Sequence, residues 1–229
     1  MNDKVCGILG GMGPEATVDF MRRVINLTPV KEERDHIHFI ADINPKLPSR
    51  IAFLIEHKGE DPGPAIVQMA KNLESWGADF IAMPCNTIHH YLPDIQKAIA
   101  IPVLDMIELT AQKTLEQFSG IKAVGILASP AVRLTGIYAR RFEQKGVRVI
   151  FPLPEAEESV LRIIKAIKDG QAPALFNQEL SAVAGSLVQQ GAGACVIACT
   201  ELSLCTLDQD LSAIDAAEVL ARAAVNNSY

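Results

Sequence analysis

No apolar run in this chain reaches the roughly 18 residues that a membrane-spanning helix needs. The N-terminal run Val5 to Gly13 is laced with glycine and closes on Pro14-Glu15, so no export signal is recognised. Positive charge is not in excess either. Lys plus Arg number 21 against 27 Asp plus Glu, a net charge of -6 that repels phosphate backbones and anionic lipid, so neither nucleic acid nor a membrane is expected as a partner. A disulfide framework is also missing. Five cysteines in 229 residues are odd in number and sparse, which fits a reducing, cytoplasmic setting and raises the question of which thiols react. What the chain does have is apolar substance: 49% hydrophobic against 21% charged residues, enough for one or two packed domains and too much for a disordered or fibrous class.

Short runs rich in Val, Ile and Phe alternate with longer stretches of helical period, the pattern of a parallel sheet joined by crossover helices. The expected class is α/β. Strands are expected at Val5 to Leu9, Ile37 to Asp42, Phe80 to Met83, Val103 to Leu104, Ala123 to Ala128, Val147 to Phe151, Ala194 to Ala198 and Ser212 to Ile214. Between them Ile66, Met69, Leu73 and Trp76 form a stripe stopped by Gly77. Val160, Ile163, Ile164 and Ile167 do the same before Gly170, and Leu180, Val183, Leu187 and Val188 before Gly191.

The two halves resemble each other. From Met12 to Cys85 is 73 residues and from Ser129 to Cys199 is 70, and G-A-D-F-I-A-M-P-C-N-T (77 to 87) sets beside G-A-C-V-I-A-C-T-E (193 to 201). Each cysteine follows a buried-type strand, and each is followed by a second short apolar segment ending in an Asp, Asp105 or Asp215, able to cap the helix after it. Ligands of open α/β sheets bind beyond the carboxyl ends of the strands, where helix N-termini offer free N-H groups. Asn86-Thr87 and Thr200-Glu201 supply polar side chains there, and such a setting is expected to favour a thiolate. A pseudo-repeat also predicts a site at the seam between its copies.

G-G-M-G-P-E-A-T (10 to 17), N-P-K-L-P-S-R (44 to 50), P-C-N-T-x-H (84 to 89), A-S-P (128 to 130) and C-T-E (199 to 201) together resemble the aspartate/glutamate racemase family over the whole chain. The resemblance implies a cofactor-independent amino-acid racemase, usually a homodimer, of two pseudo-symmetric lobes, each a small parallel sheet flanked by helices, with the active site in the cleft between them. It places the first lobe at 1–105 plus 212–229, the last helix crossing back, and the second at 106–211. The family's catalytic thiols fall on Cys85 and Cys199, one removing the α-proton and the other returning it from the opposite face. Substrate contacts are expected from the backbone near Met12 and from Asn86, Thr87, Ser129, Thr200 and Glu201. Arg50 matches the arginine for the substrate's side-chain carboxylate, and Lys168 the second cation, with Lys165 one helical turn away as a rival. Ser129 stands where Thr is common and Ala198 where Gly is, and neither change removes chemistry. No cofactor or metal is implied.

Plainer readings stand beside these. Gly11, Gly13 and Ala16 spell a form of the dinucleotide fingerprint but serve equally as a tight strand-to-helix turn. Cys6, Cys195 and Cys205 read as core, and the spacing of Cys195, Cys199 and Cys205 does not make a zinc motif. His36 and His38 read as polar positions on one side of a strand, and His89 either orients the loop after Cys85 or is a satisfied structural histidine. Lys168 would also complement a helix dipole, and Glu155, Glu157 and Glu158 a helix start. Rival functions are a hydantoin racemase, a maleate isomerase, an arylmalonate decarboxylase, or a binding protein for an acidic metabolite.

Overall fold

In a computed structural model describing residues 4–229, the alternation resolves as β1 (Cys6–Gly10), α1 (Pro14–Leu27), β2 (Phe39–Ile43), α2 (Arg50–Leu54), α3 (Gly63–Ser75), β3 (Phe80–Ala82), α4 (Leu92–Ala98) and α5 (Met106–Gln117). There follow β4 (Ala123–Leu127), α6 (Pro130–Thr135), α7 (Ile137–Glu143), β5 (Arg148–Ile150), α8 (Pro154–Lys168), α9 (Asn177–Gln189), β6 (Ala194–Ile197), β7 (Ala213–Asp215) and α10 (Ala216–Ser228). Two compact units result, one of residues up to 106 with 218–229 and one of residues 107–217.

The first unit holds a parallel sheet of order β2-β1-β3. Val103 adds an isolated parallel bridge to Ile81 instead of a full strand: Ile81 N-H donates to Pro102 O and Leu104 N-H to Ile81 O, both at 2.9 Å. The second unit holds a parallel sheet of order β5-β4-β6-β7. In each, the first strand has the second on one side and the third on the other, and beyond the third comes the Val103 bridge in the first unit and β7 in the second. The sequence reading gave 212–229 to the first lobe, but β7 pairs with β6 and the change of unit falls at Glu218. The apolar stretch Ala213–Asp215 therefore completes the second sheet before α10 leaves it.

Burial on both faces explains the continuous apolar runs of β1, β3, β4 and β6. Ile66, Met69 and Leu73 of α3 pack with Leu9, Ile81 and Met83 in the first unit. In the second, Val160, Ile163, Ile164 and Ile167 of α8 join Leu180 and Leu187 of α9 on one face of the sheet, and Tyr138 and Phe142 of α7 meet Val124 and Ile126 on the other. Each such side chain contributes about 1.5–3 kcal/mol by leaving water. Two expected stripe members differ: Trp76 and Val188, at the last turns of α3 and α9, are 54% and 43% exposed. The chain there is already turning into Gly77 and Gly191, whose positive φ ends each helix. His36 and His38 precede β2, in the connection from α1.

Candidate functional site

Backbone register makes the two cysteines equivalent. Ile81 lies opposite Gly7 and bonds to Pro102, while Cys195 lies opposite Gly125 and bonds to Ser212 O at 2.8 Å. Four residues beyond Ile81 stands Cys85, and four beyond Cys195 stands Cys199, each past the carboxyl end of the third strand of its sheet. Such strand ends are where an α/β sheet opens to a ligand.

The residue four further on lies against each cysteine's carbonyl. His89 is buried, its Nδ1 lies 2.9 Å from Cys85 O, and its Nε2 lies 3.2 Å from the backbone N of Met106, the first residue of α5. An amide can only donate, so Nε2 accepts and the proton belongs on Nδ1, which donates to Cys85 O. Nε2 stands a further 3.4 Å from Leu104 O. Burial pulls the His89 pKa below its usual value, against the opposing pull of the Cys85 carbonyl and Asp105, and keeps the ring neutral. In the second unit Ser203 holds the matching place. Its Oγ is 3.4 Å from Cys199 O and 2.6 Å from Asp215 Oδ1, which also accepts the Ala217 N-H at 2.9 Å at the start of α10. The Ser203 hydroxyl proton goes to the nearer, charged acceptor, and the Ser203 backbone N-H donates to Cys199 O at 3.2 Å.

The surroundings of the thiols differ. Cys85 is buried; Cys199 is partly so, and its Sγ donates to Glu201 Oε2 at 3.1 Å. Glu201 is itself buried, and its other oxygen lies 3.5 Å from Lys168 Nζ. Burial and the adjoining Glu201 carboxylate hold the Cys199 pKa well above the ordinary thiol value, with Lys168 opposing. The setting expected to favour a thiolate favours the thiol at Cys199, because burial and the Glu201 carboxylate outweigh the Glu201 backbone N-H and Lys168 that act the other way. Burial alone pushes Cys6 up to about 12 and Cys195 and Cys205 to about 11, in keeping with their reading as core.

Around Cys85, the first unit gathers Met12 and Arg50. Gly11, at φ +95°, could not carry a side chain: a Cβ would lie 2.5 Å from the Asn44 backbone, so the loop after β1 packs against the loop after β2. Thr17 Oγ1 accepts the Gly11 N-H at 3.0 Å and donates to Gly13 O at 3.1 Å, which stitches the glycine turn shut. Arg50, the first residue of α2, follows the Ser49 cap, whose Oγ accepts the Ala52 N-H. Its Nη2 reaches Met12 O at 3.5 Å, and its Nε is buried with no hydrogen-bond partner among the described residues. A buried guanidinium N-H left so costs free energy that a bound carboxylate would return. Thr87 starts the short 3-10 turn after Cys85, and the Asn86 side chain does not cap it. In the second unit Ser129 precedes α6 without capping it by its hydroxyl, and Thr200 is buried beside Cys199. Among the described residues no group of three His, Cys, Asp or Glu side chains is placed to hold a metal ion, and no helix is long and apolar enough to cross a membrane.

The model of the Asp/Glu/Hydantoin racemase family matches residues 9–224. The chain belongs to that family. The broad specificity amino-acid racemase RacX of Bacillus subtilis is 30% identical over 226 residues, 96% of each chain. Picrophilus torridus aspartate racemase, a solved structure, is 30% identical with a TM-score of 0.83, over 98% of this chain and 94% of that one. An aspartate racemase homologue from Pyrococcus horikoshii shares the fold, with a TM-score of 0.78 at 24% identity over 100% of this chain and 99% of that one.

Within this racemase-family chain, three residues near the site escaped sequence reasoning. Ser203 is found only by counting four past Cys199, the place that His89 holds after Cys85. Tyr91 donates to Asp61 Oδ1 at 2.9 Å, which also accepts the Gly63 N-H. Burial and Asp61 push the Tyr91 hydroxyl up, opposed by the nearby Arg50 charge. Asp61 and Tyr91 are 30 positions apart, so only folding reveals the pair.

Proposed function

We propose that this protein is a cofactor-independent racemase of an acidic amino acid, aspartate or glutamate, in which Cys85 and Cys199 exchange the α-proton. The observation that carries the reading is the pair of thiols at equivalent positions past the third strand of two alike sheets. Inversion at a carbon centre needs one proton carrier on each face of the α-carbon: one thiolate removes the proton and the opposite thiol supplies another. The α-proton is a far weaker acid than a thiol, and each pKa unit of mismatch costs about 1.4 kcal/mol. Donors placed where charge develops on the α-carboxylate reduce that cost, and Asn86, Thr87, Ser129, Thr200 and the backbone near Met12 are assigned to it.

Arg50 is assigned to the substrate's side-chain carboxylate, a role supported by its buried, unbonded Nε. Lys168 is the second cation on this reading. The protein works in the cytoplasm as a homodimer, on a small-molecule substrate. The names of the Bacillus and Picrophilus relatives, a broad specificity amino-acid racemase and an aspartate racemase, support the substrate class.

The test is incubation of the purified protein, without added cofactor, with L-aspartate and L-glutamate in heavy water. The expected result is the D enantiomer carrying deuterium at the α-carbon. Cys85→Ala and Cys199→Ala are each expected to abolish full racemisation, since one face then lacks its proton carrier. Absence of inversion and of exchange across acidic and neutral amino acids, or wild-type turnover in either variant, overturns the proposal.

A further inference from the structure

Equivalent backbones give the two cysteines unequal partners. Cys199 Sγ points its hydrogen at Glu201 Oε2 across 3.1 Å, and Glu201 Oε1 pairs with Lys168 Nζ at 3.5 Å. The Glu201 side chain is only 6% exposed while that of Lys168 is 32% exposed, so the carboxylate is sequestered against the sulfur and the ammonium backs it from the wetter side. Both oxygens of Glu201 are thereby engaged, which turns it from the substrate contact expected from sequence into a partner of the thiol.

We propose that Glu201, backed by Lys168, is a positioning residue that keeps the hydrogen on Cys199, so that the resting protein presents Cys199 as the proton donor and leaves removal of the first α-proton to Cys85. The inference rests on the reading of Cys199 as a proton carrier and adds to it an ordered start. As Cys199 donates, its S-H bond breaks, the electron pair stays on sulfur, and the hydrogen joins the α-carbanion. The bond to that α-carbon's original hydrogen has by then passed its own electron pair to carbon and its proton to Cys85. Glu201 stays ionised throughout. The new Cys199 thiolate then lies against a buried carboxylate, which makes it a strong base: it takes a proton from solvent water while Cys85 gives up to solvent the proton it removed, and the resting pair is restored.

The charged groups acting on Cys199 are Glu201 and Lys168, and they act in opposite senses. The experiment is alkylation by iodoacetamide as a function of pH, with each cysteine followed separately by peptide mass spectrometry. Only the thiolate reacts appreciably, so each curve reports that thiol's ionisation. Glu201→Gln keeps the shape of the side chain and removes its charge. It is expected to move the Cys199 curve down by more than one pH unit, at least a tenfold gain in labelling at a fixed pH below the midpoint. Lys168→Met is expected to move the same curve up, and the Cys85 curve should stay in place in both variants.

Opposite shifts from two substitutions cannot come from general loosening, and buried Cys6 and Cys195 report loss of fold if they label. Should Glu201→Gln fail to fold, Lys168→Met alone decides, and an unmoved Cys199 curve there overturns the proposal. So does a Glu201→Gln curve that is unmoved or displaced upward. Because labelling is read without any amino acid present, failure of racemisation and failure of Glu201's hold on Cys199 are told apart.

Discussion

Replacing His89 tests whether the carbonyl of Cys85 is held by a neutral imidazole. The ring makes two buried bonds, a donation to Cys85 O at 2.9 Å and an acceptance from the Met106 amide at 3.2 Å. His89→Ala removes the donor from Cys85 O and one acceptor from the Met106 amide, and with the carbonyl group setting the scale the expected loss is about 1–3 kcal/mol. That is a large part of the 5–15 kcal/mol typical of a domain, readable in urea unfolding followed by circular dichroism and by the fluorescence of Trp76, the single tryptophan. His89→Gln carries a donor and an acceptor on one planar group and is expected to lose about 1 kcal/mol or less. The pH dependence has a definite sign. Burial lowers the folded pKa of His89 below the roughly 6.5 of an unfolded histidine. Its contribution is therefore complete above about pH 6.5 and is lost as pH falls through the folded value, where protonation turns Nε2 toward Met106 as a second donor. The wild type should lose stability over that window and the Gln variant should not. A loss under about 0.5 kcal/mol in His89→Ala, or equal losses in the Ala and Gln variants, would refute the clamp.

Gly125→Ala would place a Cβ 2.9 Å from both Cβ and Cδ1 of Leu187, and 3.2 Å from Cys195 Sγ. Overpacking of that kind costs about 1–3 kcal/mol, and the increment should shrink when Leu187→Ala is already present; thermal unfolding showing strict additivity would contradict the contact. Arg50→Lys exchanges a fork for a point charge, and losing a charge-assisted bond is worth about 1.5–3 kcal/mol. On the proposed function it should lower kcat/KM for the acidic substrate roughly ten- to hundredfold, chiefly through KM, and an unchanged value would remove Arg50 from the site.

The fold was legible because its signals are local. Unbroken apolar runs such as Ile8-Leu9 and Val196-Ile197 mark strands buried on both faces, and positive-φ glycines at 77, 170 and 191 end helices. Boundaries slipped where a residue's neighbours, and not its own type, decide the outcome. Val103 reads as strand yet makes a single bridge, and Ser212 to Ile214 reads the same whichever sheet receives it. Arg50, Cys85 and Cys199 could be read from motifs. The state of Cys199 could not, because whether the Glu201 carboxylate joins the backbone amide at the sulfur depends on the side chain folding back and on burial beside Lys168.

Duplication of the backbone with divergence of the polar partners has a chemical consequence. Had both thiols identical surroundings, each would face the same compromise: a thiolate stable enough to exist at neutral pH is a poor match for a weak carbon acid. Surrounding Cys199 with a buried carboxylate raises the basicity of its thiolate and so narrows the gap to the α-proton, by about 1.4 kcal/mol for each pKa unit. The cost is scarcity of that thiolate in the resting protein. A two-thiol racemase tolerates this, since on the proposed mechanism the Cys199 thiolate is generated by turnover itself, each time Cys199 delivers its proton. The His89 and Ser203 clamps fit the same logic. An imidazole ties the Cys85 carbonyl to the start of α5, whereas Ser203 donates its backbone N-H to Cys199 O and its hydroxyl proton to Asp215 at the start of α10. The geometry of the two strand ends can thus remain alike while the proton affinities of their sulfurs are set apart.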